Sequence, residues 1–215
     1  MTGLEKEYYG IEAGLDFKVA SFLNFKAIGT ISDAKNINNA NVNYMLSKSA
    51  EVVKDYAYIK DMRESGTPLT IGSLALDFHK SGWFVNLNAN WYDRIYLSYS
   101  PSYRYKSSLK KRDVLFNDEP LPGSVDQAKG HGGWMVDGSI GKSIRLKHGS
   151  LNFNLMITNI LNNRKIVSGG YEQSRSDYTL DKENNVKDRV YKFSKNPKKY
   201  YVFGTNGMFQ VSYRF

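Results

Sequence analysis

Residues 74–91 read LALDFHKSGWFVNLNANW, and this stretch decides the fold. Apolar and polar side chains alternate from Leu74 to Phe78, and the alternation resumes from Trp83 to Trp91 after a short polar turn. A period of two residues is typical of a β-strand with one apolar face, so the stretch predicts a tight hairpin. The two tryptophans lie about 27 Å apart along the strand, or about 20 Å vertically once strand tilt is included. This height suits the apolar band of a membrane barrel with an aromatic residue at each interface.

The same alternation recurs along the whole chain and predicts an antiparallel, all-β arrangement of about seven strands. The predicted strands cover residues 9–19, 23–32, 74–79, 83–91, 134–146, 151–158 and 201–215. On this register Leu87, Leu155 and Val211 are predicted to contact lipid. Asn88, Asn154 and Gln210 are predicted to face the lumen.

The connections between the predicted strands fall into two classes. Three are short turns, near Ser21, Ser81 and His148. Three are long, at residues 33–68, 93–132 and 161–198. Connections of more than about 12 to 15 residues are uncommon in compact soluble domains, but outer-membrane barrels combine short periplasmic turns with long extracellular loops. The pattern therefore predicts a transmembrane barrel segment, with a soluble β-sandwich that acts as a carbohydrate-binding module as the alternative.

Composition excludes several other classes. The 215 residues include no cysteine and only three histidines, so disulfide scaffolds and thiolate metal sites are excluded and we expect no metal or cofactor. No apolar run approaches the length of a membrane-spanning helix. The formal net charge of +9 alone does not select a partner, and no nucleic-acid-binding module accompanies it, so we expect no nucleic-acid partner.

We expect no enzymatic activity. Gly141-Lys142-Ser143 resembles the end of a phosphate-binding loop, but Val136 stands where that motif needs glycine, and a strand follows instead of a helix. No segment combines a nucleophile, a base and an orienting group, so no catalytic residue is predicted.

Seven strands are an odd number, whereas bacterial single-chain barrels have an even number from eight upward. The chain also begins without an export signal. Unpaired strand edges in hydrocarbon cost several kcal/mol for each unmatched backbone group. We therefore expect residues 1–215 to be one segment of a larger barrel, with an outward strand preceding Met1.

Two stretches resemble the carboxyl-terminal part of the barrel of TonB-dependent outer-membrane receptors. Residues 154–175, NLMITNILNNRKIVSGGYEQSR, resemble the penultimate strand of that family, its Asn-(Ile/Leu)-Leu-Asn element and the following Gly-Gly-Tyr loop. Residues 200–215, YYVFGTNGMFQVSYRF, resemble the last strand with its terminal assembly signal. The resemblance places that signal at Phe209, Val211, Tyr213 and Phe215.

The resemblance implies a location in the cell outer membrane and a barrel of 22 strands, of which this chain would supply about a third. It implies uptake of a large ligand, such as a siderophore, haem, cobalamin or a glycan, with energy from TonB. The plug domain, through which the TonB complex acts, and the upstream strands lie outside residues 1–215. The other implied partners are outer-membrane lipid, lipopolysaccharide and the barrel-assembly machinery.

Any ligand contacts are expected in the outer loops, because loops carry recognition while a rigid wall positions them. Aromatic rings with positive charge suit a planar or anionic ligand. The candidates are Tyr96, Tyr99, Tyr103, Tyr105, Lys110, Lys111 and Arg112.

Basic residues in these loops leave three interpretations open: solvation of the loops, contact with anionic lipopolysaccharide, or attraction of an anionic ligand. One group comprises Arg104, Lys106, Lys110, Lys111 and Arg112. The other comprises Lys187, Arg189, Lys192, Lys195, Lys198 and Lys199.

Overall fold

The computed structural model describes residues 1–46, 49–172, 178–180, 186–188 and 197–215. Within these residues the chain forms fifteen strands, a short 3₁₀ helix (Pro101–Arg104) and a short α-helix, α1 (Lys106–Lys111). The strands are β1 (Lys6–Ala20), β2 (Leu23–Asn36), β3 (Ala40–Met45), β4 (Val52–Ala57), β5 (Thr70–Lys80), β6 (Trp83–Asp93), β7 (Leu115–Phe116), β8 (Glu119–Pro120), β9 (Gly133–Leu146), β10 (Gly149–Thr158), β11 (Val167–Glu172), β12 (Tyr178–Leu180), β13 (Val186–Asp188), β14 (Pro197–Tyr201) and β15 (Asn206–Arg214).

Seven strands form one sheet in the order β1-β2-β5-β6-β9-β10-β15, and every neighbouring pair is antiparallel. The order follows the chain, so the sheet is a meander. The predicted all-β, antiparallel, seven-stranded arrangement is confirmed. The sheet is open, with β1 and β15 as its two edges, and the described residues do not close into a barrel.

The hairpin of residues 74–91 forms as predicted, and its turn has a local cause. Lys80 pairs with Trp83, which leaves only Ser81 and Gly82 between the strands. Both turn residues have positive φ, 53° and 77°. A two-residue turn of this kind matches the right-handed twist of the flanking strands and favours glycine. The hairpin register is therefore fixed at this turn.

The register places most of the apolar side chains on one side of all seven strands, the apolar face. One cross-strand row runs through Phe17, Phe25, Leu76 and Leu87. A parallel row joins Leu155 of β10 to Phe209 of β15, among others. Since side chains alternate along a strand, the residues between these rows form the opposite, polar face.

The last strand is shorter than predicted. β15 begins at Asn206, whereas the alternation predicted a strand from Tyr201. Tyr201 instead ends β14, where it pairs with Val167 of β11. The chain turns before β15 because Asn159, just after β10, donates a side-chain hydrogen bond to the carbonyl of Phe203 at 2.8 Å.

The buried core lies in the long connections rather than in the sheet. We call residues 37–69, 94–132, 159–172 and 197–205 the loop layer. All buried apolar residues of the described chain belong to it, whereas the seven-stranded sheet contributes none. The three clusters are Ala40, Val42, Ala57, Ile59 and Met62; Ile95, Leu97, Ala128, Ile166 and Val167; and Tyr58, Leu109 and Val114. The long connections thus form a packed layer of their own.

Candidate functional site

The apolar face of the sheet is the largest candidate surface. Many of its side chains are exposed and the others are partly exposed, with Ile11 at 78%, Leu87 at 41% and Phe209 at 63%. Six strand spacings of about 4.8 Å give this face a width of about 29 Å. Soluble monomers rarely expose a continuous apolar patch larger than a few hundred Å², and larger patches mark a surface that something else covers. The described residues hold no second sheet of comparable size, since the other four sheets have two strands each.

The polar face carries a network of amides and charges. Lys26 Nζ lies 3.9 Å from the carboxylates of both Asp16 and Asp77. Asn24 donates a hydrogen bond to Asp16 at 2.8 Å, and Asn86 donates to Asp77. The predicted alternation between Leu87 on the apolar face and Asn88 on the polar face is confirmed by the register. The polar face is mostly polar or charged, although Ile28, Met156 and Met208 also lie on it.

Arg104 and Glu172 join two segments of the loop layer through buried charges. The Arg104 guanidinium donates to both oxygens of the Glu172 carboxylate at 2.7 and 2.8 Å, and it also donates to the carbonyls of Val125 and Asp126. The carboxylate accepts a further bond from the backbone N–H of Ala128 at 2.9 Å. Arg104 therefore lies inside the protein, apart from the exposed members of the basic group in which it was predicted.

Tyr96 and Tyr99, two predicted ligand contacts, belong to the packing of the loop layer. Tyr96 is 5% exposed, and the charged groups of Arg63 and Lys129 lie 5.0 and 5.4 Å from its ring centroid. The hydroxyl of Tyr99 accepts a hydrogen bond from Asn36 at 2.8 Å. The sequence does not reveal these contacts, because the partners come from distant segments.

Tyr103 and Tyr105 flank the short helical segment. The ring of Tyr105 stacks on that of Tyr44 at 5.6 Å, and the guanidinium of Arg112 lies 5.7 Å from the ring centroid of Tyr103. Lys110 and Lys111 lie in the last turn of α1 with exposed side chains. The structure therefore brings the last five candidates into one region. Their role as ligand contacts stays a prediction.

The second basic group is described only in part. Arg189, Lys192, Lys195 and the side chain of Lys187 lie outside the described residues. Lys198 of β14 places its ammonium 5.6 and 5.7 Å from the ring centroids of Tyr171 and Tyr200. The hydrogen bond to Tyr171 raises the pKa of Lys198 above its ordinary value. Lys199 follows it on the same strand.

The residues of the predicted assembly signal lie on the edge strand β15 and just beyond it. Phe209, Val211 and Tyr213 are on the apolar face, and Phe215 is 99% exposed. The hydroxyl of Tyr213 donates to the carbonyl of His148 at 2.6 Å. The aromatic end of the chain is thus presented to its surroundings at the turn end of the sheet.

Sequence reasoning did not assign a structural role to Asn159. Its side chain is 2% exposed, its φ is 50°, and its amide donates to the carbonyls of Asn163 and Phe203. Its backbone N–H donates to the carboxylate of Asp137, and its carbonyl accepts a bond from the Thr205 hydroxyl. The residue type was a sequence signal for this turn, because asparagine tolerates the left-handed backbone conformation better than most residues.

Comparison with protein-family models, curated proteins and solved structures finds no match to the chain. Among the described residues, no helix is long and apolar enough to cross a membrane. The same part of the chain contains no group of three or more acidic, histidine or cysteine side chains arranged to hold a metal ion.

Proposed function

We propose that this chain forms part of the wall of a TonB-dependent receptor in the cell outer membrane. The apolar face contacts lipid, the polar face lines the lumen, and the loop layer lies on the extracellular side. The observation that carries the proposal is the reversed distribution of burial: Leu87 and its neighbours on the sheet are exposed, whereas the loop layer has a packed core. A soluble sheet protein buries the apolar face of its sheet instead.

Strand direction supports a larger closed structure. β1 and β15 are the first and seventh strands of an antiparallel meander, so they run in the same direction. Antiparallel closure between them therefore requires an odd number of further strands. Fifteen more strands would satisfy this condition. They would complete a barrel of 22 strands, the number found in the large outer-membrane transporters. Direct pairing between copies of this sheet would create parallel junctions, which such barrels do not use.

In this proposal the chain contributes wall and extracellular loops to the uptake of a large ligand, such as a siderophore, haem, cobalamin or a glycan. TonB would act through a plug supplied by another part of the receptor. Lys110 and Lys111 are exposed, unlike the other candidates, and are the part of the predicted ligand surface that solvent reaches most directly. Positive charge there would draw an anionic ligand toward the loops.

The test compares the full chain refolded in dodecyl maltoside micelles with the chain refolded in plain buffer. We expect β-rich structure only in micelles, with aggregation in plain buffer. Because Trp83, Trp91 and Trp134 all lie on the apolar face, a brominated detergent should quench all three. A cooperative, monodisperse domain in detergent-free buffer would overturn the proposal in favour of the soluble carbohydrate-binding module.

A further inference from the structure

A groove crosses the apolar face near the loop layer. It has a volume of about 620 Å³. Its floor is a cross-strand row of small residues, Ala13, Gly29 and Gly72, and Trp91 lies next in that row. A Cβ atom added at Gly29 would have no neighbour within 4 Å, so the floor is open to the outside. Ile31 forms part of the rim. The groove has the width and chemistry for a hydrocarbon chain.

A second, polar cleft of about 450 Å³ lies on the same side of the sheet, within the loop layer. Arg63 pairs with Lys35 in an isolated bridge, and its guanidinium donates to Asp33 at 2.8 Å. Asp33 is two residues from Ile31 on β2, so both point to the same face. Arg63, which lines the cleft, therefore binds a carboxylate that lies about 7 Å along the strand from the rim of the groove.

The cleft carries an excess of positive charge. Lys60, Arg63 and Lys129 line the cleft against two carboxylates, Asp61 and Asp126. Lys35, Asp33 and Arg94 adjoin these walls through ion pairs. The ion pairs join Lys35 to Asp61, and both arginines to Asp33. Among the described residues, no carboxylate lies within 4.0 Å of the ammonium groups of Lys60 or Lys129.

Adjacent cationic and apolar sites at this separation fit a single amphiphile. We propose that groove and cleft together bind one membrane lipid with an anionic, phosphate-bearing head group, with an acyl chain over Gly29 and the phosphate beside Lys60 and Lys129. This inference rests on the proposed function, because the apolar face must be in contact with lipid. Each cation near a membrane surface adds to the attraction of an anionic lipid. The groove supplies the fixed position that a diffuse surface charge lacks.

The experiment uses the full chain in dodecyl maltoside micelles, with bound lipid counted by native mass spectrometry. Phosphatidylglycerol provides the anionic probe, and phosphatidylcholine with the same acyl chains provides the zwitterionic one. We expect phosphatidylglycerol to bind at least about tenfold more tightly. The double variant Lys60→Gln/Lys129→Gln should remove this preference, and Gly29→Leu should fill the groove and weaken binding of both lipids.

Two variants serve as matched controls. Lys54→Gln removes an exposed loop cation outside the cleft, and Gly14→Leu adds the same bulk to β1 on the opposite face, where a Cβ has its nearest neighbour at 3.9 Å. Both should bind phosphatidylglycerol like the unchanged chain. Circular dichroism of every variant checks that the β structure is retained.

Three results would overturn the lipid site: equal binding of the two lipids, binding that Gly29→Leu leaves unchanged, or full displacement of phosphatidylglycerol by inorganic phosphate. The last would indicate a site for the free anion. Failure of the proposed function is a separate result, because it appears as a monodisperse chain in detergent-free buffer. A chain that needs micelles but shows no lipid preference would overturn this inference alone.

Discussion

Arg104 and Glu172 form a bidentate ion pair in which the two side chains are only 0% and 2% exposed. They lie 68 residues apart in sequence and join the segment around the 3₁₀ helix to the end of β11. Such a pair holds the two segments in one arrangement, because neither charge can remain buried without the other.

Removing one partner of this pair should destabilise the loop layer strongly. Glu172→Gln leaves the Arg104 charge buried without its counterion, for which we expect a loss of about 3 to 5 kcal/mol. Urea unfolding in micelles, followed by protease cleavage within the loop layer, measures this loss. The exposed pair of Lys106 and Asp118 is the control, and Asp118→Asn should change little. Equal effects at both pairs would contradict the structural role.

Asn159 should be equally sensitive, for a different reason. Asn159→Ala removes two donated hydrogen bonds to carbonyl groups and places alanine at a φ of 50°. The two effects together should cost about 2 to 4 kcal/mol. Asn152→Ala, on the polar face of β10, is the control and should cost less than about 1 kcal/mol. Chemical denaturation of both variants in micelles gives the comparison, and similar midpoints would contradict the role assigned to the turn.

The seven strands were predictable because alternation is a local property of the sequence, and residues 74–91 contain both their strands and their turn. The start of β15 was not predictable from the sequence, because Tyr201 continues the alternation but pairs with Val167, 34 residues away. The burial of Tyr96 was not predictable either, because its ring packs against Arg63 and Lys129 from distant segments. Local pattern identifies the strands, whereas packing between loops decides which aromatic residues remain accessible.

The two faces of β6 should respond differently to charge. Leu87→Arg places a cation on the apolar face and should cost about 2 to 4 kcal/mol if that face is in the bilayer, whereas Asn88→Arg should cost much less. Cysteine at each position provides a second measurement, because the chain has no native thiol. A lipid-soluble maleimide should label position 87 and spare position 88. The reverse pattern would invert every assignment of a face, since a shift of one residue exchanges the two sides.

We expect Glu64 to make the amino-terminal end of β1 sensitive to acid. Lys6 and Tyr8 donate to one oxygen of its carboxylate, and the hydrogen bond from Lys6 is the main cause that lowers the pKa of Glu64. A lowered folded-state pKa means that the stabilisation is present above the unfolded value, near 4.3, and is lost as the pH falls through the folded value. Because both side chains are over 40% exposed, we expect less than about 1 kcal/mol.

Hydrogen exchange at residues 6–8 is the measurement, with samples at pH 7 and pH 3 corrected for intrinsic exchange rates. Acid should speed local opening in the unchanged chain, and Glu64→Gln should remove most of this difference. Glu12→Gln, also on β1 and exposed, should leave it intact. A pH effect of the same size in Glu64→Gln would show that another group controls the opening.

The role of Phe215 can be separated from the stability of the fold. Its side chain is 99% exposed, and at the edge of the apolar band a charge costs only about 0 to 1 kcal/mol. In the receptor that we propose, Phe215→Asp should nevertheless lower the amount in the outer membrane severalfold, because in that proposal the assembly machinery recognises this residue. Phe203, 92% exposed in the loop layer, provides the matched control. Phe203→Asp should leave the level unchanged.

Quantitative blotting of outer-membrane fractions, alongside unfolding midpoints of both purified variants, gives the comparison. Equal amounts of the two variants in the membrane would exclude recognition of the terminal residue, and a matching loss of stability would assign the effect to folding instead.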